Sequence, residues 1–143
     1  MTTVAVPVLQ HYMAAINAHD VEAIVAAHTA DATMDMVAAP EESSQGTAGI
    51  RHFWQEHFAA IPDFHFDFAA PVRAGDAVTL EWTMAGTYQG DDPGFGMAKG
   101  KPFRIRGVSV LELAEGKIYR ERQYFDGATM LRQFGLLPAE PPA

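Results

Sequence analysis

Residues 116–135 read GKIYRERQYFDGATMLRQFG, and this stretch decides the fold. The dipeptide Glu115-Gly116 is typical of a tight hairpin turn, and the aromatic and β-branched residues that follow predict a strand over 117–125. Asp126 stands where an acidic side chain can cap a helix, and Gly135 stands where a short helix would end. The stretch therefore predicts a last strand that leads directly into a short helix.

The rest of the chain changes its hydrophobic period once. Apolar residues recur every three or four positions over 8–18, from Asp20 onwards, and over 48–60, which predicts three helices. Alternation over 64–68, 78–88 and 103–113 then predicts strands, and 31–37 reads as a shorter strand between the second and third helices. Helices followed by consecutive antiparallel strands indicate an α+β fold in which helices pack on one face of a curved sheet.

Composition and charge exclude several classes of function. The chain of 143 residues contains no cysteine, which excludes thiol catalysis and thiolate metal sites. Its net charge is −8, and residues 1–72 hold one basic side chain against nine acids, so we expect no nucleic-acid partner. No apolar run approaches the length that crosses a bilayer, and we expect no membrane association and a cytoplasmic location. A single domain over 1–137 and a flexible proline-rich tail over 138–143 are predicted.

Two local patterns that suggest a cofactor or a metal fail on inspection. The glycines between Gly94 and Gly100 lead into a strand, so no helix N-terminus follows that would bind a pyrophosphate. His52 and His57 lie five positions apart on a helix and point about 140° away from each other, which excludes a shared metal ion. We therefore expect neither a cofactor nor a metal.

The C-terminal stretch also carries a resemblance. Its Gly-Lys-Ile start, its Tyr124-Phe125-Asp126 run and its Gln-Phe-Gly end resemble the SnoaL-like polyketide cyclases of the nuclear transport factor two-like superfamily. The opening helix, residues 82–87 and residues 99–103 fit the same family. The resemblance implies a cone-shaped, curved, mostly antiparallel sheet wrapped around three N-terminal helices, a cystatin-like α+β barrel with a pocket at one end.

In that family the aspartate at the end of the last strand, matched here by Asp126, acts as general acid and base in an aldol condensation. A carboxylate at the rim of an apolar cavity loses solvation, and its raised pKa then suits proton exchange with carbon. The alternative is that Asp126 only caps the final helix, and the two roles are compatible.

Two further residues are candidates for the chemistry. The resemblance places the Arg106 face inward at the pocket mouth, where its guanidinium would polarise a carbonyl or hold Asp126. A salt bridge at the rim, to Glu121 or Glu112, is the alternative. Tyr12 resembles a helix-one tyrosine that donates to a developing oxyanion in relatives, and the alternative is a half-buried core tyrosine.

Departures from other superfamily members reduce the number of reactions that the expected pocket could catalyse. Met36 occupies the position of an isomerase base, and Trp82 and Met84 occupy positions that hydrolases fill with arginine and aspartate. The expected pocket therefore suits a flat, apolar ligand, although the same side chains would also serve as core. The predicted lining comprises Trp82, Met84, Leu80, Met34, Met36, Tyr124 and Phe134.

The first hypothesis is a cofactor-independent enzyme that moves a proton next to a carbonyl of a polycyclic or polyketide-like molecule. The second is a non-catalytic module that binds a small hydrophobic molecule or mediates dimerisation. A third is another lyase or hydrolase on the same cone. A homodimer is expected in each case, since the outer face of the sheet must be covered.

Overall fold

The computed structural model describes the backbone of Thr2 and Thr3 and all of residues 6–139. Most of the predicted proline-rich tail, 140–143, lies outside the described residues, as do positions 1, 4 and 5 of the predicted domain. The domain boundary at residue 137 stays a prediction.

Three helices precede most of the sheet, as the period of the sequence predicts. They are α1 (Pro7–Ala18), α2 (Val21–Ala26) and α3 (Gly46–Ala60). Proline at the first position of α1 lacks only an amide that would have no helical partner there. Asp20 caps the N-terminus of α2, because its Oδ1 accepts a hydrogen bond of 3.1 Å from the Ala23 amide.

Among the residues that the structure describes, eight strands form one curved sheet. In chain order they are β1 (Thr2–Thr3), β2 (His28–Met36), β3 (Ser44–Gln45), β4 (His65–Phe68), β5 (Val72–Ala74), β6 (Ala77–Thr87), β7 (Pro102–Ala114) and β8 (Lys117–Phe125). The spatial order is β1-β5-β6-β7-β8-β2-β3, and β4 also pairs with β6. All pairs are antiparallel except β2 with β8, which is parallel. The predicted α+β class and the curved, mostly antiparallel sheet are confirmed.

The faces of β6 and β7 show which side chains enter the core. On β6, Leu80 and Trp82 are buried, as the alternation predicts. On β7 the inward side chains are Phe103, Ile105, Ser109 and Leu111. The predicted inward orientation of Arg106 is therefore wrong: Arg106 is exposed and faces away from the helices, opposite Thr83 in the register. The inward positions on that half of β7 are filled by apolar side chains, which gain more from burial.

The short helix α4 (Gly127–Gln133) follows β8 and is followed by an aromatic cluster. Phe134 is only 2% exposed, and its ring centroid lies 5.4 Å from that of Phe103 and 5.8 Å from that of Tyr88. Phe95, from a short 3-10 helix over Pro93–Ala98, lies 6.0 Å from Phe134. Phe134 thus packs in an aromatic cluster with Tyr88, Phe95 and Phe103 near the ends of β6 and β7.

Gly107 lets the backbone of β7 pass close to Trp82. A Cβ atom on Gly107 would lie 2.6 Å from Cζ2 and 2.7 Å from Cζ3 of the Trp82 ring, well inside van der Waals contact. Any side chain at this position would therefore displace the indole.

Gly107→Ala is expected to lower the free energy of unfolding by about 1–3 kcal/mol, since the added methyl overpacks a rigid ring. Urea denaturation and tryptophan emission measure the loss of stability and the displaced indole. Gly96→Ala is the matched control, because nothing lies within 4 Å of a Cβ there. Equal stability of the two variants would contradict the close approach.

Candidate functional site

A buried carboxylate lies at the centre of the interior, between α1 and the sheet. Glu121 on β8 is only 1% exposed. Its Oε1 accepts a hydrogen bond of 2.7 Å from the Tyr12 hydroxyl, and its Oε2 accepts bonds of 2.9 Å from Ser109 Oγ and 2.7 Å from Gln123 Nε2. Three donors from α1, β7 and β8 therefore replace the water that the charge loses on burial.

A β-bulge brings Glu121 to the inner face. Glu112 pairs with Arg120 but Leu113 pairs with Ile118, so Tyr119 is an extra residue on β8. Ile118 is buried, and simple alternation from it would turn Arg120 inward and Glu121 outward. The extra residue reverses the alternation, which buries Glu121 and Gln123 and leaves Tyr124 42% exposed.

The sequence predicts Glu121 only as an alternative rim partner of Arg106. The structure contradicts this placement, because Glu121 is buried. A charged run such as Tyr-Arg-Glu-Arg-Gln gives no sign of which charge is buried unless the bulge is known. Tyr12, in contrast, was predicted as a candidate and lies in this cluster. It is 1% exposed, so the half-buried alternative is also corrected to a fully buried one.

Electrostatics around the cluster keep Tyr12 protonated. Burial raises the pKa of Tyr12 well above its ordinary value, and the charge of Glu121 and the hydrogen bond to it raise that pKa further. Tyr12 is therefore a neutral donor near neutral pH.

His28 packs edge-on against Tyr12, with 5.2 Å between the ring centroids. Burial lowers the pKa of His28, an effect that the charge of Glu121 opposes. Its Nδ1 lies 2.7 Å from the Ile24 carbonyl, which only accepts, so Nδ1 carries the proton of the neutral ring. Its Nε2 has no hydrogen-bond partner among the described residues.

Asp126 lies in a different environment from the one predicted. It is exposed, and its Oδ2 accepts a hydrogen bond of 2.7 Å from the Thr129 hydroxyl, while Oδ1 accepts one of 3.0 Å from the Thr129 amide. These bonds hold the pKa of Asp126 below its ordinary value. The expectation of a desolvated carboxyl with a raised pKa is therefore wrong, whereas the predicted capping contact is present.

Asp126 and Arg106 border an open depression of about 560 Å³ on the side of the sheet away from the helices. Asp67, Glu81 and Thr83 line it together with Ala69, Trp82, Gly107 and Val108, so polar and apolar groups share a wall that was expected to be apolar. The predicted rim salt bridge of Arg106 does not form within residues 6–139, because Glu112 pairs with Arg122 at 2.9 Å and Arg120 at 3.8 Å.

The other predicted lining residues divide between the interior and the surface. Trp82 lies in the interior next to the Glu121 cluster, since its Nε1 donates a hydrogen bond of 3.0 Å to Ser109 Oγ. Gln123 Nε2 also approaches Met34 Sδ at 3.7 Å. Met84 is half-buried, and Tyr124 lies on the outer face, so it does not line the interior. Whether any of them binds a ligand stays a prediction. Buried in the core are Met34, Met36, Leu80, Trp82 and Phe134.

Within the described part of the chain, no three or more His, Asp or Glu side chains are grouped closely enough to hold a metal ion. None of the helices described has the length and hydropathy that crossing a bilayer requires.

The sequence matches the family profile of the SnoaL-like polyketide cyclases over residues 6–134. No curated protein matches the chain.

Solved structures share the fold. A candidate polyketide cyclase from Pseudomonas putida is 26% identical, with a TM-score of 0.75, and the match covers 93% of this chain and 98% of that one. IdmH, a candidate polyketide cyclase from Streptomyces antibioticus, is 25% identical with a TM-score of 0.72, covering 90% and 96%. A protein with a ketosteroid isomerase-like fold from Catenulispora acidiphila, crystallised with trimethylamine, is 23% identical with a TM-score of 0.79, covering 94% and 96%.

Tyr12→Phe tests the central hydrogen bond. The variant keeps the ring but leaves Glu121 Oε1 without its donor, and we expect the free energy of unfolding to fall by about 1–3 kcal/mol. Urea denaturation measures the change. Tyr119→Phe is the matched control, since Tyr119 is 44% exposed and should tolerate the same change. A Tyr12→Phe variant as stable as this control would show that the bond contributes nothing.

Proposed function

Because the chain belongs to the SnoaL-like polyketide cyclase family, we propose that it is a cofactor-independent enzyme that moves protons at carbon beside a carbonyl group. The observation that carries the proposal is the buried Glu121–Tyr12 pair, a carboxylate and a neutral phenol 2.7 Å apart. The pair places a proton acceptor beside a neutral donor, and that phenol can stabilise the negative oxygen that forms when the carboxylate removes a proton from carbon.

The proton transfers follow from the hydrogen bonds of the pair. Glu121 Oε1 removes a proton from the carbon next to the carbonyl, the C–H bond breaks, and its electron pair moves onto the carbonyl oxygen as an enolate. Protonated Oε1 no longer needs the hydrogen bond from Tyr12, so the phenol is free to donate to the enolate oxygen. In a cyclisation the enolate carbon then bonds to a second carbonyl carbon, and Glu121 returns its proton to the new alkoxide.

The interior around the pair favours a flat and mostly apolar substrate. Trp82, Met34 and Leu80 are buried on the sheet, and they present ring, thioether and aliphatic surfaces. Since Glu121 is only 1% exposed, a substrate reaches it only when side chains move. Methionine is the side chain best suited to such movement, because it is long, unbranched and tolerant of repacking.

We assign Asp126 the structural role of a helix cap and not that of the acid–base group. The two hydrogen bonds from Thr129 lower the pKa of Asp126, which makes its carboxylate a weaker base. Its place at the edge of an open depression still makes it the second carboxylate to test.

Deuterium exchange tests the proposal without knowledge of the natural product. The protein is incubated in D₂O with β-tetralone and with polycyclic 1,3-diketones, and mass spectrometry measures deuterium at the acidic carbon. We expect exchange above the buffer rate, and a loss of about 100-fold or more in Glu121→Gln. Asp126→Asn should leave the rate unchanged, and Glu112→Gln is the matched control on the outer face.

Other results would contradict the role of Glu121 or the enzymatic function. Full exchange in Glu121→Gln contradicts the assignment of Glu121, and a selective loss in Asp126→Asn transfers the role to that carboxylate. Probes that bind, as isothermal calorimetry would show, but do not exchange in the unsubstituted protein favour the non-catalytic binding module.

We also propose that two copies pair through the outer face of the sheet, and that the protein is cytoplasmic, as its composition suggests. Val108 and Val110 are half-buried on this face, next to exposed Tyr124. Apolar side chains in a row on an exposed sheet favour contact with another surface.

Sedimentation velocity at micromolar concentration is expected to show a dimer for the unsubstituted chain and a monomer for Val108→Glu. Met97→Glu is the control, since Met97 is 66% exposed and lies off the sheet. A monomer at micromolar concentration for the unsubstituted chain would exclude this pairing.

A further inference from the structure

Two consecutive hydrogen bonds in the interior connect Trp82 on β6 to Glu121 on β8 through Ser109 on β7. Trp82 Nε1 lies 3.0 Å from Ser109 Oγ, and Ser109 Oγ lies 2.9 Å from Glu121 Oε2. All three side chains are at most 4% exposed, so no bulk water competes for these bonds.

The direction of this chain is fixed by chemistry. An indole N–H only donates, so Ser109 Oγ accepts from Trp82. The single hydroxyl proton of Ser109 then points to Glu121, the one acceptor that it bonds within residues 6–139. Trp82 thus orients a hydroxyl that would otherwise rotate.

The two oxygens of Glu121 have different surroundings. Oε2 accepts from both Ser109 and Gln123, whereas Oε1 accepts only from Tyr12. Two donors aimed at one oxygen leave it no room for a proton and favour negative charge there. A proton that binds Glu121 therefore binds Oε1.

We infer that Ser109, oriented by Trp82, is a positioning residue that fixes Oε2 of Glu121 and leaves Oε1 as the oxygen that exchanges protons with substrate. The inference rests on the proposed function of Glu121. Ser109 itself touches no reacting atom: it sets which oxygen reacts, where that oxygen points, and how readily it gives up a proton.

Ser109→Ala tests the inference through the pH dependence of deuterium exchange. With one of three donors removed, the carboxyl should keep its proton to higher pH, so the midpoint of the pH–rate profile should rise by about one pH unit. The maximal rate should fall while the KM for the probe stays constant, because Ser109 does not contact the probe. Ser109→Thr keeps the hydroxyl and should restore the profile. An unshifted midpoint in Ser109→Ala, or no recovery in Ser109→Thr despite a folded protein, overturns the inference.

A second variant separates the effect of lower stability from the effect of the lost hydrogen bond. Ile105→Val removes a buried methyl group from the same strand without touching Glu121, and it should reduce thermal stability yet leave the midpoint in place. If Ile105→Val shifts the midpoint as Ser109→Ala does, the effect is one of general packing and the inference is wrong.

A second readout separates this inference from the proposed function. In protein labelled with ¹³C at glutamate, the carboxyl signal of Glu121 reports its protonation without any substrate. A rise of its pH midpoint in Ser109→Ala supports the positioning role even if no probe exchanges, in which case the proposed function alone fails. An unchanged midpoint refutes the role whatever the activity. If Ser109→Ala does not fold, Trp82→Phe keeps the hydroxyl but removes its orienting donor, and a smaller rise is expected.

Discussion

The carboxylate of Glu121 imposes one requirement on the whole interior: a buried negative charge must be surrounded by donors that do not move away. Those donors come from α1, β7 and β8, through Tyr12, Ser109 and Gln123. Each bond has a narrow range of length and direction, and the Tyr12 bond, which alone of the three crosses from α1 to the sheet, holds α1 at a set distance from β8. Apolar packing alone would allow the helix to slide by small amounts at little cost.

The same requirement explains the polar character of this part of the core. Burying a carboxylate is unfavourable unless its hydrogen bonds are complete, and an apolar replacement of similar shape often gives equal or greater stability. A sequence under selection for stability alone has no need of the cluster. Its presence in the interior, beside a histidine whose pKa is lowered, is therefore the main reason to connect this region with chemistry.

Much of the fold could be predicted because the hydrophobic period and the C-terminal stretch both indicate helices followed by antiparallel strands. The alternation that buries Leu80 and Trp82 was visible in the sequence. On β7 the pattern was ambiguous, since Phe103 and Ile105 are apolar at odd positions, whereas Val108 and Val110 are apolar at even ones. Gly107 separates the two halves, and the family resemblance, which placed the Arg106 face inward, favoured the even positions that the structure turns outward.

The site was harder to predict than the fold for two physical reasons. The bulge at Tyr119 reverses the facing of β8, and one extra residue in a strand leaves no mark in composition or spacing. The predicted desolvated environment of Asp126 is wrong for a different reason, which is local. Its nearest partner, Thr129, lies three residues away and satisfies both carboxylate oxygens, so a local contact prevails over a role in a distant cavity.

The parallel pairing of β2 with β8 has a consequence for how the chain reaches its native state. Tyr12 and Glu121 in the core are separated by 109 positions, and the partly exposed Asp35 and Arg120 by 85, so both pairs are contacts of very high contact order. During synthesis the N-terminal helices leave the ribosome long before β8 exists, and Tyr12 and His28 then have no settled environment. The core contacts of Tyr12 cannot form until β8, the last strand of the sheet, has been synthesised. The early segments are therefore exposed to chaperones and proteases for most of translation.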